Sequence, residues 1–174
     1  RRSGASSAPS SGASAACDLL AAVEDRAFPP YLRDLARALA SSVTGAESLG
    51  RGAATEARFR RAVFAAYPDR LARRRELNGD RFALASGTGA RLSRVHHTEF
   101  VSAIEVRKID GVRAISAADE PLITMASAVD PEWVSPTSRE VVHEYDVSAK
   151  KLRATRLDKY GALVLKAHPM APPP

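Results

Sequence analysis

Eight arginines stand between positions 51 and 75, where only Glu56 and Asp69 carry negative charge. Residues 1–50 and residues 76–174 each contain equal numbers of basic and acidic side chains, so this window holds the whole formal charge of +6. Arginine binds phosphate groups through paired hydrogen bonds, and concentrated positive charge attracts a polyanion. The chemistry that this window could do is therefore the binding of a nucleic-acid backbone.

The candidate nucleic-acid-binding residues are seven arginines in and just beyond this window: Arg70, Arg73, Arg74, Arg75, Arg81, Arg91 and Arg94. The spacing of Arg70, Arg73 and Arg74 would put them on one face of a helix, where we expect them to be exposed. Tyr67 and Phe82 are candidates for stacking on bases. A basic track beside a stacking aromatic is typical of small barrels that bind single strands.

A structural role is the alternative for the same arginines. Several of them could pack on the predicted barrel instead of facing solvent. They could also pair with the neighbouring carboxylates of Asp69, Glu76 and Asp80. In that case the charge window would support folding and would attract no polyanion.

No motif for catalysis or cofactor binding is present in the sequence. A phosphate loop needs Gly-x-x-x-x-Gly-Lys-Ser/Thr, and residues 86–89 (SGTG) are instead expected to form a hairpin turn. Adjacent histidines in a strand point to opposite faces and could not share one metal ion, and Cys17 stands alone. We therefore expect no catalysis, metal or cofactor in this chain. A third possibility is a small enzyme with a site made from these residues: His96, His97, Glu99 and Asp119.

The compartment follows from cysteine use and hydropathy. A single cysteine, Cys17, cannot form an internal disulfide, which fits the reducing cytoplasm where we expect the protein to be. No apolar run reaches the ~18 residues that a membrane span needs, so no membrane partner is expected. The chain begins with Arg1 and lacks the apolar core of a signal peptide, which indicates a piece of a longer protein.

Helical patterns come first along the chain. Leucines at helical spacing in residues 32–39 predict an amphipathic helix, and residues 55–67 predict another. Pro68 interrupts this second pattern, and residues 69–75 are predicted to add one or two further helical turns. These elements would carry the arginine window.

Extended patterns follow Asn78, where apolar residues begin to alternate with a period of two. The predicted strands are 81–85, 90–92, 99–109, 112–115, 121–129, 139–145, 151–156 and 160–166. Short strands with turn residues between them favour a small barrel or sandwich. Because the helical and extended patterns lie in separate blocks, the predicted fold class is α+β. Trp133, between two strands, is predicted to anchor the core.

Two strings at the junction of these blocks are distinctive: AAYPDRLARRR at residues 65–75 and RFALASGTGARL at residues 81–92. They resemble the C-terminal region of the bacterial HrpB-type DEAH-box RNA helicases, where a helical ratchet domain ends in a Tyr-Pro-Asp-Arg turn before an oligonucleotide-binding (OB) barrel. Residues 123–134 (ITMASAVDPEWV) resemble the end of that barrel, and residues 144–165 resemble the extension that follows it.

This resemblance implies that the parent protein couples NTP hydrolysis to movement along RNA. ATP and Mg²⁺ would bind motor domains that lie outside this chain, and the partners would be single-stranded RNA and that motor core. Residues 70–75 would sit at the hinge between the ratchet and the barrel, where the RNA channel passes. The alternative function is a protein-interaction module that docks on the motor core or a partner without touching nucleic acid.

The predicted architecture is an N-terminal helical block, an OB-like small β-barrel and a C-terminal β-meander extension. The predicted divisions are a disordered linker at 1–16, the helical end of the ratchet at 17–75, the OB-like barrel at 76–134, the β-meander at 135–168 and a Pro-rich tail at 169–174.

Overall fold

The computed structural model describes residues 16–24, 29–42, 52–94, 96–108, 120–148 and 150–171. The helices are α1 (Asp18–Glu24), α2 (Pro30–Ser42) and α3 (Ala53–Ala66), and short 3₁₀ turns cover Pro68–Arg70 and Pro131–Trp133. The strands are β1 (Leu71–Arg74), β2 (Arg81–Leu84), β3 (Gly89–Leu92), β4 (Phe100–Arg107), β5 (Leu122–Val129), β6 (Ser138–Asp146), β7 (Lys151–Tyr160) and β8 (Leu163–Met170). This composition confirms the α+β class.

Strands β1 to β5 form a closed barrel in the order β1-β2-β3-β5-β4. The pair β3–β5 is parallel, and β1 closes the barrel by pairing with both β2 and β4. Alternate side chains fill the interior, which contains Ala72, Phe82, Ala90, Leu92, Val101, Ala103, Ile123 and Ala126. The OB-like barrel predicted from the sequence is confirmed. The strand predicted at 112–115 lies outside the described residues.

The helical turns predicted for residues 69–75 are wrong. Pro68 lacks an amide hydrogen, and the helix ends at Ala66. Leu71 and Ala72 are then fully buried in strand β1, which is hydrogen-bonded on both edges. Pairing within the barrel thus overrides the helical spacing of the arginines, and the barrel's first strand lies inside the predicted helical block.

Strands β6, β7 and β8 form a separate antiparallel sheet in that order, which confirms the predicted β-meander. Two boundaries differ from the prediction. Strand β7 continues through Asp158, which was placed between two strands, and β8 extends through Pro169 into the predicted tail. Pro169 is tolerated because β8 is an edge strand.

The turn between β7 and β8 docks this sheet on the barrel. Leu163 packs with Leu71, Phe100 and Val129, and Trp133 lies partly buried against the same cluster. Gly161 has φ of 55°, and a Cβ atom there would approach the carbonyl oxygen of Ala85 to 2.5 Å. Only glycine fits this turn without moving the backbone.

Residues just before α1 also attach to the barrel. The amide of Ala128 donates to the carbonyl of Ala16 at 2.7 Å, and Cys17 is buried in a bridge to Ser127. Helix α2 forms as predicted, but its Leu35 and Leu39 are exposed rather than packed within the described part of the chain.

Candidate nucleic-acid interface

Arg70 and Arg73 lie on the outside of the barrel and do not share a helical face with Arg74. Arg70 ends the 3₁₀ turn, donates to the carbonyl of Ile104 at 3.0 Å and sits over the Tyr67 ring at 5.7 Å. Arg73 pairs with Glu99 at 2.9 Å and donates to the carbonyl of Val164 at 2.6 Å. Arg73 therefore joins the barrel to strand β8.

Arg74 points into the end of the barrel, where the sequence predicted an exposed side chain. Its guanidinium lies over the Phe82 ring at 4.8 Å. It donates to three backbone carbonyls, those of Thr98, Gly79 and His96. The prediction that Arg74 is exposed is wrong, because strand alternation turns it to the same side as the buried Ala72.

Arg81 and Arg91 stand directly opposite each other on the neighbouring strands β2 and β3. Arg75 lies close by, at the start of the loop from β1 to β2, and shares the carboxylate of Glu120 with Arg81. Each of these three side chains is 43% exposed. We call this surface, with Asp80 and Glu120, the Arg81–Arg91 face.

The carboxylates on this face hold the arginines in place. Like charges directly across a ladder repel each other, and nearby carboxylates offset that repulsion. Arg91 donates to Asp80 through Nε and Nη2 at 3.0 and 2.7 Å. These hydrogen bonds, with the guanidinium charge, lower the pKa of Asp80. Arg81 is 4.0 Å from Glu120, too far for a hydrogen bond, and its side-chain donors have no hydrogen-bond partner among the described residues.

Arg94 belongs to a different cluster, beside α1. Its Nη1 lies 3.7 Å from Asp18, whose carboxylate is buried and contacts His96 Nε2 at 3.1 Å. Burial alone would raise the pKa of Asp18. Hydrogen bonds from His96 and from the Ala126 amide, with the charges of His96 and Arg94, outweigh burial and lower that pKa. This cluster fastens α1 to the barrel.

A groove of about 660 Å³ runs between the loop after β1, residues 97–99 and the turn at residues 162–164. Arg73, Arg74 and Arg75 line it together with Glu76 and Glu99, so charges of both signs meet there. Leu77, at the tip of the loop, is 93% exposed. The groove could admit an extended chain, but its three arginines exceed its two carboxylates by only one.

The two predicted stacking groups differ in accessibility. Phe82 is fully buried in the barrel core, so the prediction that it stacks on bases is wrong. Tyr67 is 37% exposed and has the Arg70 guanidinium over its ring. Trp133 is partly buried with the Arg60 guanidinium over it at 5.4 Å, in agreement with the predicted anchoring role.

The possible enzyme site is not assembled by the described residues. His96 is buried against Asp18, whereas His97 and Glu99 line the groove and Glu99 is paired with Arg73. Asp119 lies outside the described residues. Across the described segments, no group of three potential metal ligands occurs. None of the helices described is long and apolar enough to cross a membrane.

Sequence reasoning missed a second group of cations, in the β6–β8 sheet. Asp158 is buried, and its carboxylate lies 3.5 Å from Arg139, 3.7 Å from Arg156 and 3.3 Å from His168. Counting charge along the chain hides this cluster, because acids and bases balance over residues 76–174. Assigning each charged residue to a face by strand alternation was the signal that could have found it.

No family model matches the sequence, and no curated protein matches it. Among solved structures, the DExH-box NTPase HrpB of Escherichia coli matches 90% of this chain and 19% of its own, with a TM-score of 0.62 and 23% identity. Another structure, of the E. coli DEAH/RHA helicase HrpB, matches 64% of this chain and 14% of its own, with a TM-score of 0.46 and 27% identity. The first match shows that the chain has the fold of part of that protein, which confirms the resemblance stated from the sequence. The chain spans about a fifth of its length.

Proposed function

We propose that this chain is a non-catalytic module of an HrpB-like ATP-dependent RNA helicase, which binds single-stranded RNA and couples it to the motor core of the same protein. The shared fold with part of E. coli HrpB supports this proposal. In it, ATP and Mg²⁺ bind the motor core outside this chain. The protein acts in the cytoplasm, with RNA and the motor core as its partners.

The observation that carries the proposal is the Arg81–Arg91 pair on strands β2 and β3. In OB folds, oligonucleotides bind the face of strands 2 and 3 and the loop between strands 1 and 2. Arg81 and Arg91 occupy that face here, and Arg75 begins that loop. Arg70 and Arg94 would flank this surface, while Arg73 and Arg74 would support it from within the fold.

The loop from β1 to β2 is held in shape before any ligand binds. Arg74 donates to the carbonyl of Gly79 at one end of the loop. At the other end, Arg75 donates from Nη1 to the carboxylate of Glu120 at 3.3 Å. A surface that is already ordered loses less conformational entropy on binding. Phosphates would replace Asp80 and Glu120 as the partners of these guanidinium groups.

The test is the salt dependence of binding to a fluorescein-labelled 12-nucleotide polyuridine RNA, followed by fluorescence anisotropy. Three phosphate contacts by Arg75, Arg81 and Arg91 contribute about −2 to the log–log slope for a single strand. The triple alanine variant should lose that contribution and bind roughly tenfold or more weakly. Arg37→Ala, an exposed arginine of α2 paired with Asp34, is the control. An unchanged slope in the triple variant would contradict the proposal.

Docking on the motor core or a partner protein is a second candidate function. It is favoured by the carboxylates, because five of the seven predicted arginines already pair with one: Arg73, Arg75, Arg81, Arg91 and Arg94. The exposed Leu77 also suits a protein partner. This candidate predicts that the wild-type chain does not bind the polyuridine RNA at any salt concentration.

A further inference from the structure

The β6–β8 sheet has two faces that differ in chemistry. Because directly paired residues point to the same side, the register assigns each side chain to a face. One face carries these residues: Arg139, Val141, His143, Tyr145, Leu152, Ala154, Arg156, Asp158, Lys166, His168 and Met170. We call it the Asp158 face.

Positive charge is concentrated on the Asp158 face. Arg139, Arg156 and Lys166 stand there against a single carboxylate, that of Asp158, and two histidines add to them when protonated. The opposite face is balanced, with three acidic and three basic side chains: Glu140, Glu144, Asp146, Lys151, Arg153 and Lys159. The alternation of the strands therefore separates charges that cancel in the sequence.

The Asp158 carboxylate cannot occupy the donors around it. Arg139 and Arg156 approach its Oδ1 only to 3.5 and 3.7 Å, and this buried atom has no hydrogen-bond partner among the described residues. Asp158 thus gathers the cations on one side, while their N–H groups have no hydrogen-bond partner in the part of the chain that the structure describes. The Arg139 side chain is 72% exposed and that of Arg156 is 44% exposed. Both guanidinium groups are accessible to a ligand with several acceptor oxygens.

The other half of the same face is aromatic and apolar. Tyr145 is 62% exposed and lies directly opposite Leu152, with His143 two positions away on the same side. Met170 and Val141 are also exposed there. An accessible ring on the same face of an open sheet as a cluster of guanidinium groups provides both parts of a single-strand site, one for bases and one for the backbone.

We propose that the Asp158 face is a binding surface for single-stranded nucleic acid, distinct from the Arg81–Arg91 face. Arg139, Arg156 and Lys166 bind successive phosphates, and a base stacks on Tyr145. The inference does not depend on the Arg81–Arg91 face, because no residue belongs to both surfaces. An acidic peptide would satisfy the cations but would have no use for the aromatic ring.

The first experiment compares two double variants that remove equal charge from opposite faces. Arg139→Ala with Arg156→Ala should weaken binding of the 12-nucleotide polyuridine RNA roughly tenfold and reduce its log–log salt slope by about 1.4, the value for two single-strand phosphate contacts. Lys151→Ala with Arg153→Ala should change the affinity less than about twofold, because salt screens the attraction between the RNA and charges that do not contact it. Equal effects of the two doubles, or no effect of the first, would overturn the proposal.

A second variant guards against misfolding around Asp158. Tyr145→Ala leaves that cluster intact and should weaken RNA binding about fivefold or more, whereas Tyr145→Phe, which keeps the ring, should bind like the wild type. Loss of affinity in both Tyr145 variants, or in neither, would overturn the stacking role. Competition by polyglutamate as strong as that by RNA, with Tyr145→Ala unchanged, would assign the face to an acidic protein partner instead.

The same measurements separate this inference from the proposed function. If only the Arg139→Ala, Arg156→Ala variant keeps wild-type affinity for RNA, the Asp158 face is not a binding surface and the barrel site remains supported. If only the triple alanine variant of Arg75, Arg81 and Arg91 keeps wild-type affinity, the barrel does not bind the RNA and the sheet is the nucleic-acid surface.

Discussion

In the barrel, charged side chains are mostly committed to partners within the fold, whereas the β6–β8 sheet sorts them onto separate faces. Arg74 is surrounded by backbone carbonyls, and Arg73 holds strand β8 against the barrel. On the sheet, Arg139 and Arg156 share one carboxylate and stay exposed. Arg73 and Arg74 of the barrel therefore mainly serve folding, whereas Arg139 and Arg156 of the sheet keep exposed guanidinium groups.

This difference shows that the number of charged residues in a segment does not determine the electrostatic potential at the protein surface. What decides it is whether each cation meets a carboxylate or a carbonyl once the strands are paired. The Arg81–Arg91 face lies between the two extremes, since its arginines are paired but half exposed. Substitutions in the two regions should accordingly affect different quantities, the free energy of unfolding in the barrel and affinity on the sheet.

The largest expected loss in the free energy of unfolding comes from a substitution in the buried Asp18 cluster. Asp18→Ala leaves His96 buried without its carboxylate partner and should lower the free energy of unfolding by about 3–5 kcal/mol, measured by urea denaturation. The control is Glu140→Ala on the sheet, which breaks an exposed ion pair to Lys159 and should cost less than about 1 kcal/mol. Similar losses in both variants would remove the contrast between the regions.

Arg74→Ala should cost about 3 kcal/mol, because hydrogen bonds to a charged group are worth more than neutral ones and three carbonyls lose their donor. Arg153→Ala, on the balanced face of the sheet, removes an exposed arginine paired with Asp146 and should cost less than about 1 kcal/mol. Urea denaturation of both variants makes the comparison. A cost below about 1 kcal/mol for Arg74→Ala would show that its interactions in the barrel are dispensable.

The pH dependence of stability should show the Asp18 contribution. Its pKa is lowered on folding from 3.8, so the unfolded state binds the proton more readily. The stabilisation is therefore complete above the unfolded pKa and is lost as the pH falls through 3.8 to the folded value. The free energy of unfolding of the wild type, minus that of Asp18→Asn, should shrink between about pH 5 and pH 3. A difference that stays constant over this interval would contradict the pKa shift.

The smallest effect is expected for Arg73→Ala in RNA binding. Its guanidinium is already occupied by Glu99 and the Val164 carbonyl, so we expect the polyuridine affinity to change less than about twofold. Arg81 has no hydrogen-bonded partner for its side chain in the described segments, so Arg81→Ala should weaken binding more in the same anisotropy assay. The reverse order would place the bound strand in the groove beside Arg73 rather than on the Arg81–Arg91 face.

The parts of the fold that depend on local pattern could be predicted from the sequence. Alternation predicted the meander and a small barrel or sandwich, and the family resemblance selected the OB-like barrel. Trp133 was assigned correctly to the packing of the core. Strand β1 could not be predicted this way, because its arginines have helical spacing and only pairing with β2 and β4 makes it extended. Partners far apart in sequence, such as Asp18 with His96, are fixed by the closed barrel and leave no local signal.

The attachment of Ala16–Asp18 to strand β5 has a mechanical consequence. Ala16 accepts from the Ala128 amide, and Asp18 accepts from the Ala126 amide and contacts His96. A pull arriving along the backbone at Ala16 is therefore delivered to the barrel wall before α2 or α3 bears any load.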